Sequence, residues 1–189
     1  MIEIVRLILS LIVSERLANP IRKCTIVSDS IVKYVTEITG CSVAAFPGIN
    51  ISRLANKIYH GLVNLNSEFV ILHVGTNDIN SLLAPEILAS YNDLITMVKQ
   101  RSSGKILVSA CLPRPIDNDI NGDKVKELNK GLLKLCKDRK VRFLHTYRPF
   151  LHEGQPKREM YALRDGGLHL NNEGTRRLRQ FFINTVAHL

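Results

Sequence analysis

The sequence predicts a three-layer α/β/α sandwich built on a mostly parallel five-stranded sheet, with an extra helix at the N-terminus. Three observations carry this. Apolar strand-like runs alternate with helical stripes, and each connection is a dozen or more residues long, enough for a helical crossover between parallel strands. The run Phe69-Val70-Ile71-Leu72-His73-Val74 is continuous and β-branched, as in a strand covered on both faces. Composition agrees: in 189 residues, 45% are apolar and 23% charged, which suits a globular chain with one sizeable core.

The elements follow in order. Residues 1–20 carry the apolar run Leu7 to Val13 between Glu3, Arg6, Glu15 and Arg16, closed by Asn19-Pro20. The run is too short to span a bilayer, and with an acid near its start and no A-x-A-like site it is a poor secretion signal. It is expected to form a helix that packs on the domain, pairs with another chain or ends a coiled coil, so a homo-oligomer is expected. Residues 21–189 make the main domain. Cys24 to Val27 is the opening strand, and Ile31 to Ile38 reads as a helix.

Gly40 breaks the chain before a short buried strand, Ser42 to Phe46, which Pro47-Gly48 ends. Ile51, Leu54, Ile58 and Leu62 form a helical stripe over 51–63. After the Phe69–Val74 strand and Gly75-Thr76-Asn77-Asp78, Pro85 opens a helix to about Lys99. Lys105 to Ala110 is a strand, Cys111 to Asn121 a proline-bearing loop, and Asp123 to Lys137 a helix. Val141 to Leu144 is the last strand. Residues 147–164 are irregular, and Asn172 to His188 is helical, with Leu178, Phe182 and Val186 on one face.

In such a sheet, ligands bind beyond the carboxyl ends of the strands. That selects Ser28-Asp29-Ser30, Pro47-Gly48, Gly75 to Asp78 and the loop from Cys111. Ser28, Asp29 and Ser30 are good helix caps, and capping is the plain reading of that stretch alone. Downstream, Arg164-Asp165-Gly166-Gly167-Leu168-His169 places a carboxylate and an imidazole close together. Asp165 on Nδ1 of His169 would leave Nε2 free to take a proton from Ser30. The N–H groups of Ser30 and Gly48, with the Asn77 carboxamide, would supply an oxyanion hole. No G-x-G-x-x-G, no G-x-x-x-x-G-K-[ST] and no metal-type Cys/His spacing occurs, so neither cofactor nor metal is expected.

The blocks Ser28-Asp29-Ser30, Gly48, Gly75-Thr76-Asn77-Asp78 and Asp165 to His169 together resemble the signature blocks of the SGNH (GDSL) hydrolase superfamily. The resemblance implies a flavodoxin-like sheet and a serine esterase: Ser30 as nucleophile, Ser30, Gly48 and Asn77 as oxyanion donors, His169 as base, and Asp165 as orienting acid. Asp29 and Asp78 would close the loops around the site. The substrate would be a small or lipid ester of a carboxylic acid, acyl or acetyl, cleaved through an acyl-enzyme. His73 to Asp78 and Arg164 to Asn171 are further similar to the esterase domains of LINE-type retrotransposon first open-reading-frame proteins.

Two departures stand out. Ser28 occupies the usual glycine position, and three residues rather than two separate Asp165 from His169. Gly166-Gly167 are expected to absorb the extra residue through positive φ angles.

The net charge of +9 favours anionic partners. Lys126, Lys130 and Lys134 on one helix, and Arg176, Arg177 and Arg179 on another, are candidate faces for nucleic acid or anionic membrane. Few aromatics are present, so such binding would address phosphates. The alternative function is therefore a catalytically weak module that attaches an oligomer to nucleic acid or membrane. Four scattered cysteines read as free thiols in a reducing, cytoplasmic compartment, with attachment to a membrane surface left open.

Overall fold

A computed structural model describes residues 22–189. The helix expected over residues 1–20, and with it the domain boundary and the expected oligomer contact, lies outside the described residues. Five parallel strands form the central sheet: β1 (Arg22–Ser28), β2 (Cys41–Ala45), β3 (Ser67–His73), β4 (Lys105–Ser109) and β5 (Arg142–Leu144), in the order β2-β1-β3-β4-β5. Among the described residues, four α-helices accompany them: α1 (Ile51–Tyr59), α2 (Ala84–Arg101), α3 (Asn118–Asp138) and α4 (Asn172–Ala187). Among the described residues, no helix is long and apolar enough to cross a membrane.

Alternation along the strands divides the core between the two faces of the sheet. Val27, Val70, Leu72, Ile106 and Val108 pack on one face with Leu54, Ile87, Leu94 and Leu128 of α1, α2 and α3. Ile26, Ile71 and Leu107 point to the other, where Leu178, Phe182 and Val186 of α4 cover them together with Ile31, Val32, Val35 and Ile38. Each such fully buried aliphatic side chain contributes roughly 1.5–3 kcal/mol of transfer free energy.

Several expectations need correction. Ile31 to Ile38 is not a helix: one 3-10 turn, Ser30–Val32, gives way to turns and irregular chain, with Glu37 at φ 58°. The apolar spacing there reports burial correctly, but Val32, Val35, Thr36, Ile38 and Thr39 are β-branched and resist helix. Strand β2 lies at the sheet edge and is half-buried along its length, not buried. Helix α1 stops at Tyr59, because Gly61 takes φ 70° and turns the chain, so Leu62 is left 64% exposed. Helix α3 begins at Asn118, five residues before the expected start. The stretch 147–164 holds a small hairpin, Leu151–His152 with Gln155–Pro156, and 3-10 turns.

His73, at the end of β3, is a core histidine. It is buried against the Phe182 ring, and its Nδ1 lies 2.6 Å from Ser109 Oγ, which in turn is 2.8 Å from Thr146 Oγ1. Burial pushes the imidazole down to about 4 from its ordinary 6.5. As pH falls through 6.5 the unfolded chain takes up this proton first, so His73 stability is lost from there down to about pH 4. Asp29 and Asp78, pushed up to about 6 by burial, act oppositely, their favourable contribution being lost as pH rises through that value. Comparison with His73→Gln cancels those two. Between pH 7 and pH 4, wild-type unfolding free energy should fall by ~3 kcal/mol relative to the variant, measured by urea titration. Parallel profiles would show that His73 is not held neutral.

Candidate active site

The strand order changes direction between β1 and β3, and the crevice beyond their carboxyl ends is where a flavodoxin-like sheet holds its ligands. Ser30 follows β1 and Asn77 follows β3 at this switch point. Asp29 caps the Ser30 turn: its Oδ1 accepts from the Ile31 N–H at 3.0 Å, and its Oδ2 accepts from the Thr76 N–H at 3.4 Å. One buried carboxylate thus joins the loop after β1 to the loop after β3.

Asp78 performs the same service for the Gly48 loop. Its carboxylate accepts from the Ile51 N–H at 3.2 Å, fixing the start of α1. Asn77 Nδ2 donates to the Ile49 carbonyl at 2.8 Å, which pins the loop from the other side. The second Asn77 amide hydrogen has no acceptor among the described residues, and the same is true of the Ser30 and Gly48 N–H groups. Gly48 sits at φ 73°, and a Cβ built on it would meet nothing within 4 Å. Its requirement for glycine is therefore conformational.

The Asp165–His169 turn reaches the same crevice. His169 Nε2 lies 2.9 Å from Ser30 Oγ, and His169 Nδ1 lies 2.7 Å from Asp165 Oδ2. The hydrogen-bond network assigns the Nδ1–H tautomer, with the Ser30 hydroxyl donating to Nε2. Asp165 Oδ1 accepts from the N–H groups of Gly167, Leu168 and His169 at 3.2, 3.0 and 3.4 Å. Partial burial alone would raise the Asp165 carboxyl, but the His169 bond and these N–H donors outweigh it and hold it below the usual carboxylate range. The extra residue in this motif is taken up by Gly166 at φ 69° and Gly167 at φ 94°. A Cβ on Gly167 would also stand 2.7 Å from Pro115.

Sequence reasoning missed Arg114. Its guanidinium is 5% exposed and donates to the Thr76 carbonyl, to Asn80 Oδ1 at 2.9 Å and, in a fork, to Asp117. The loop it anchors, Arg114 to Asp117, lies against Gly166 and Gly167. Arg114 therefore links the Asn77 loop to the His169 turn. Only the Arg114/Asp117 spacing was visible in sequence; the Thr76 and Asn80 acceptors come from folding.

Ser28, the replacement for the usual glycine, is fully buried, and its Oγ has no hydrogen-bond partner among the described residues. Ser28→Ala removes that hydroxyl and keeps the Cβ. It should raise stability by about 1 kcal/mol, a Tm gain of roughly 2–4 °C for a chain of this size. A lower Tm in a thermal melt would show that the hydroxyl is satisfied.

The candidate basic faces are partly spent on internal bonds. Lys126 pairs with Asp123 at 2.9 Å, and Arg176 with Glu173 at 2.8 Å. Arg179 donates to the carbonyls of Thr36 and Glu37, both at 2.9 Å. Lys130, Lys134 and Arg177 are exposed. The four cysteines are free; Cys24, Cys111 and Cys136 are buried and Cys41 half-buried.

This sheet order, with its helices and the blocks at its switch point, defines an SGNH-type α/β fold. Residues 29–177 match the GDSL-like Lipase/Acylhydrolase family, and the chain belongs to it. Among solved structures it is similar to a Streptococcus pneumoniae protein named for platelet activating factor, with TM-score 0.75 and 20% identity, covering 98% of this chain and 99% of that one. A GDSL-like lipase from Bacteroides thetaiotaomicron gives TM-score 0.73 at 16% identity, over 93% and 95% of the two chains. The esterase domain of the ORF1 protein from the zebrafish ZfL2-1 retrotransposon is 24% identical, with TM-score 0.48, over 87% and 98%. A sequence search of curated proteins finds no significant match.

Proposed function

We propose that the protein is a serine esterase that cleaves carboxylic esters through an acyl-enzyme. The observation that carries this is the Asp165–His169–Ser30 chain, with contacts of 2.7 and 2.9 Å. Ser30 Oγ attacks the ester carbonyl while His169 Nε2 takes its proton. The oxyanion that forms is held by the N–H groups of Ser30 and Gly48 and by the spare Asn77 amide hydrogen. Asp165 keeps the imidazole in the required tautomer and stabilises the imidazolium. His169 then protonates the departing alcohol. In the second half, water attacks the acyl-enzyme with His169 as base, and the acid leaves. A module that only binds has no use for such a chain beside three unpaired donors, and this favours the esterase over the purely binding alternative. The wording of His73–Asp78 and Arg164–Asn171 supports placing this esterase in a retrotransposon-encoded protein.

The openness of the site around Ser30 and Gly48 favours a short acyl group. Ser30 and Asn77 are half-buried and Gly48 is exposed. A groove of about 1080 Å³ beside the turn is lined by Tyr34, Leu163, Arg164 and Arg176, among others, and includes none of Ser30, Gly48, Asn77 or His169. A buried acyl pocket would add about 0.8 kcal/mol per methylene, near fourfold in kcat/KM. Here kcat/KM for p-nitrophenyl acetate, butyrate and octanoate should not rise with length. Failure to hydrolyse any of the three would overturn the esterase reading, and a steep rise would overturn the short-acyl part.

A further inference from the structure

The opposite, amino-terminal edge of the sheet holds a second cleft, of about 490 Å³. Its wall carries Lys99 from the end of α2, Lys105 from the start of β4, Lys140 and Arg142 from the entry to β5, and His188 after α4. No Asp or Glu side chain lines it, and none of those four cations has an ion-pair partner among the described residues. The contrast with Lys126 and Arg176, each paired to a neighbouring carboxylate, is direct. Four like charges gathered around a concavity repel one another, and an anion entering the cleft relieves that repulsion.

Two of the cations are held in place. Lys99 Nζ donates to the Arg139 carbonyl at 2.7 Å, and Lys105 Nζ stands 5.7 Å from the centre of the Phe69 ring. Lys140 is in the left-handed region, at φ 54°, a conformation that is strained for a non-glycine residue. The volume decides the size of ligand. It lies within the range of roughly 300–1,000 Å³ that small organic ligands occupy, and a lone phosphate would leave most of it empty. Part of the lining is apolar, from Phe69, Ile106 and Val141. All four cations line the cleft and are exposed to solvent, so their charges are free to meet an anionic ligand.

We propose that this cleft binds a nucleotide unit, with its phosphates on Lys99, Lys105, Lys140 and Arg142 and its sugar and base against the apolar lining. The unit is supplied either by a free nucleotide or by a single strand. The strands between this cleft and Ser30 are seven residues or fewer, roughly 20 Å, so occupancy leaves the esterase site open.

The test is fluorescence anisotropy of the full chain with a fluorescein-labelled twelve-nucleotide oligo-dT, competed by ATP, with p-nitrophenyl acetate hydrolysis followed in parallel. Lys140→Gly removes a charge and also relieves the left-handed strain, so it should fold at least as stably as wild type. Both Lys140→Gly and the double variant Lys105→Ala/Arg142→Ala should weaken binding at least tenfold while leaving hydrolysis unchanged. Binding should weaken as salt rises, with a log–log slope near −2 to −3 for three or four phosphate contacts. Equal affinity for ATP and the oligonucleotide identifies the free nucleotide as source; much tighter binding of the strand identifies nucleic acid. No anisotropy change at low salt with either the oligonucleotide or a fluorescent ATP analogue, equal binding by the variants, or co-sedimentation with phosphatidylserine vesicles without nucleotide binding would overturn the proposal. Hydrolysis is read separately, so none of these outcomes bears on Ser30.

Discussion

Ser30→Ala is expected to lower kcat for p-nitrophenyl acetate by on the order of 10⁴–10⁶. The Ser30 hydroxyl is the only hydroxyl within hydrogen-bond distance of His169 Nε2 among the described residues, at 2.9 Å, and alanine leaves the imidazole nothing to deprotonate but water. The fold should be indifferent to the change. Ser30 is half-buried, the cap bond of its turn comes from Asp29, and the Ser30 side chain makes no structural bond other than that to His169. Thermal melting should therefore be close to wild type while turnover is lost. A fall of less than tenfold would remove Ser30 from the chemistry.

Asp165→Asn should be nearly as damaging, on the order of 10⁴ in kcat. The asparagine can keep its oxygen on the N–H groups of Gly167, Leu168 and His169, so the turn survives. Its amide nitrogen then replaces Oδ2 at His169 Nδ1. A donor facing Nδ1 turns that nitrogen into an acceptor and moves the proton to Nε2, where it blocks proton transfer from Ser30. Asp165→Ala is a less clean test, because it also strips the turn of its acceptor. Activity of Asp165→Asn within tenfold of wild type would exclude the orienting role and leave His169 to be held in some other way.

The parallel sheet was legible because its strands are short β-branched runs with helical stripes between them, and the Gly166-Gly167 pair announced positive φ angles. Where the sequence misled, local stiffness or a single punctuating residue overrode the apolar period. Ile31, Val35 and Ile38 are spaced as on a helix and are all buried, yet the β-branched residues among them resist the helix. Leu62 continued the α1 stripe in sequence, but Gly61 had already turned the chain. Arg114 was out of reach for a different reason. Its acceptors on Thr76 and Asn80 lie more than thirty residues away, and nothing in the Cys111–Asn121 loop indicates that they meet. The cleft at the amino edge is of the same kind, since Lys99, Lys105, Lys140 and Arg142 converge only through the order of β3, β4 and β5.

A fluorophosphonate probe reads the activation of Ser30 by His169 and Asp165 without any choice of ester. Peptide mass spectrometry after labelling should find a single adduct, on Ser30, that His169→Ala abolishes. Absence of an adduct, labelling of another serine, or equal labelling of His169→Ala would contradict that activation.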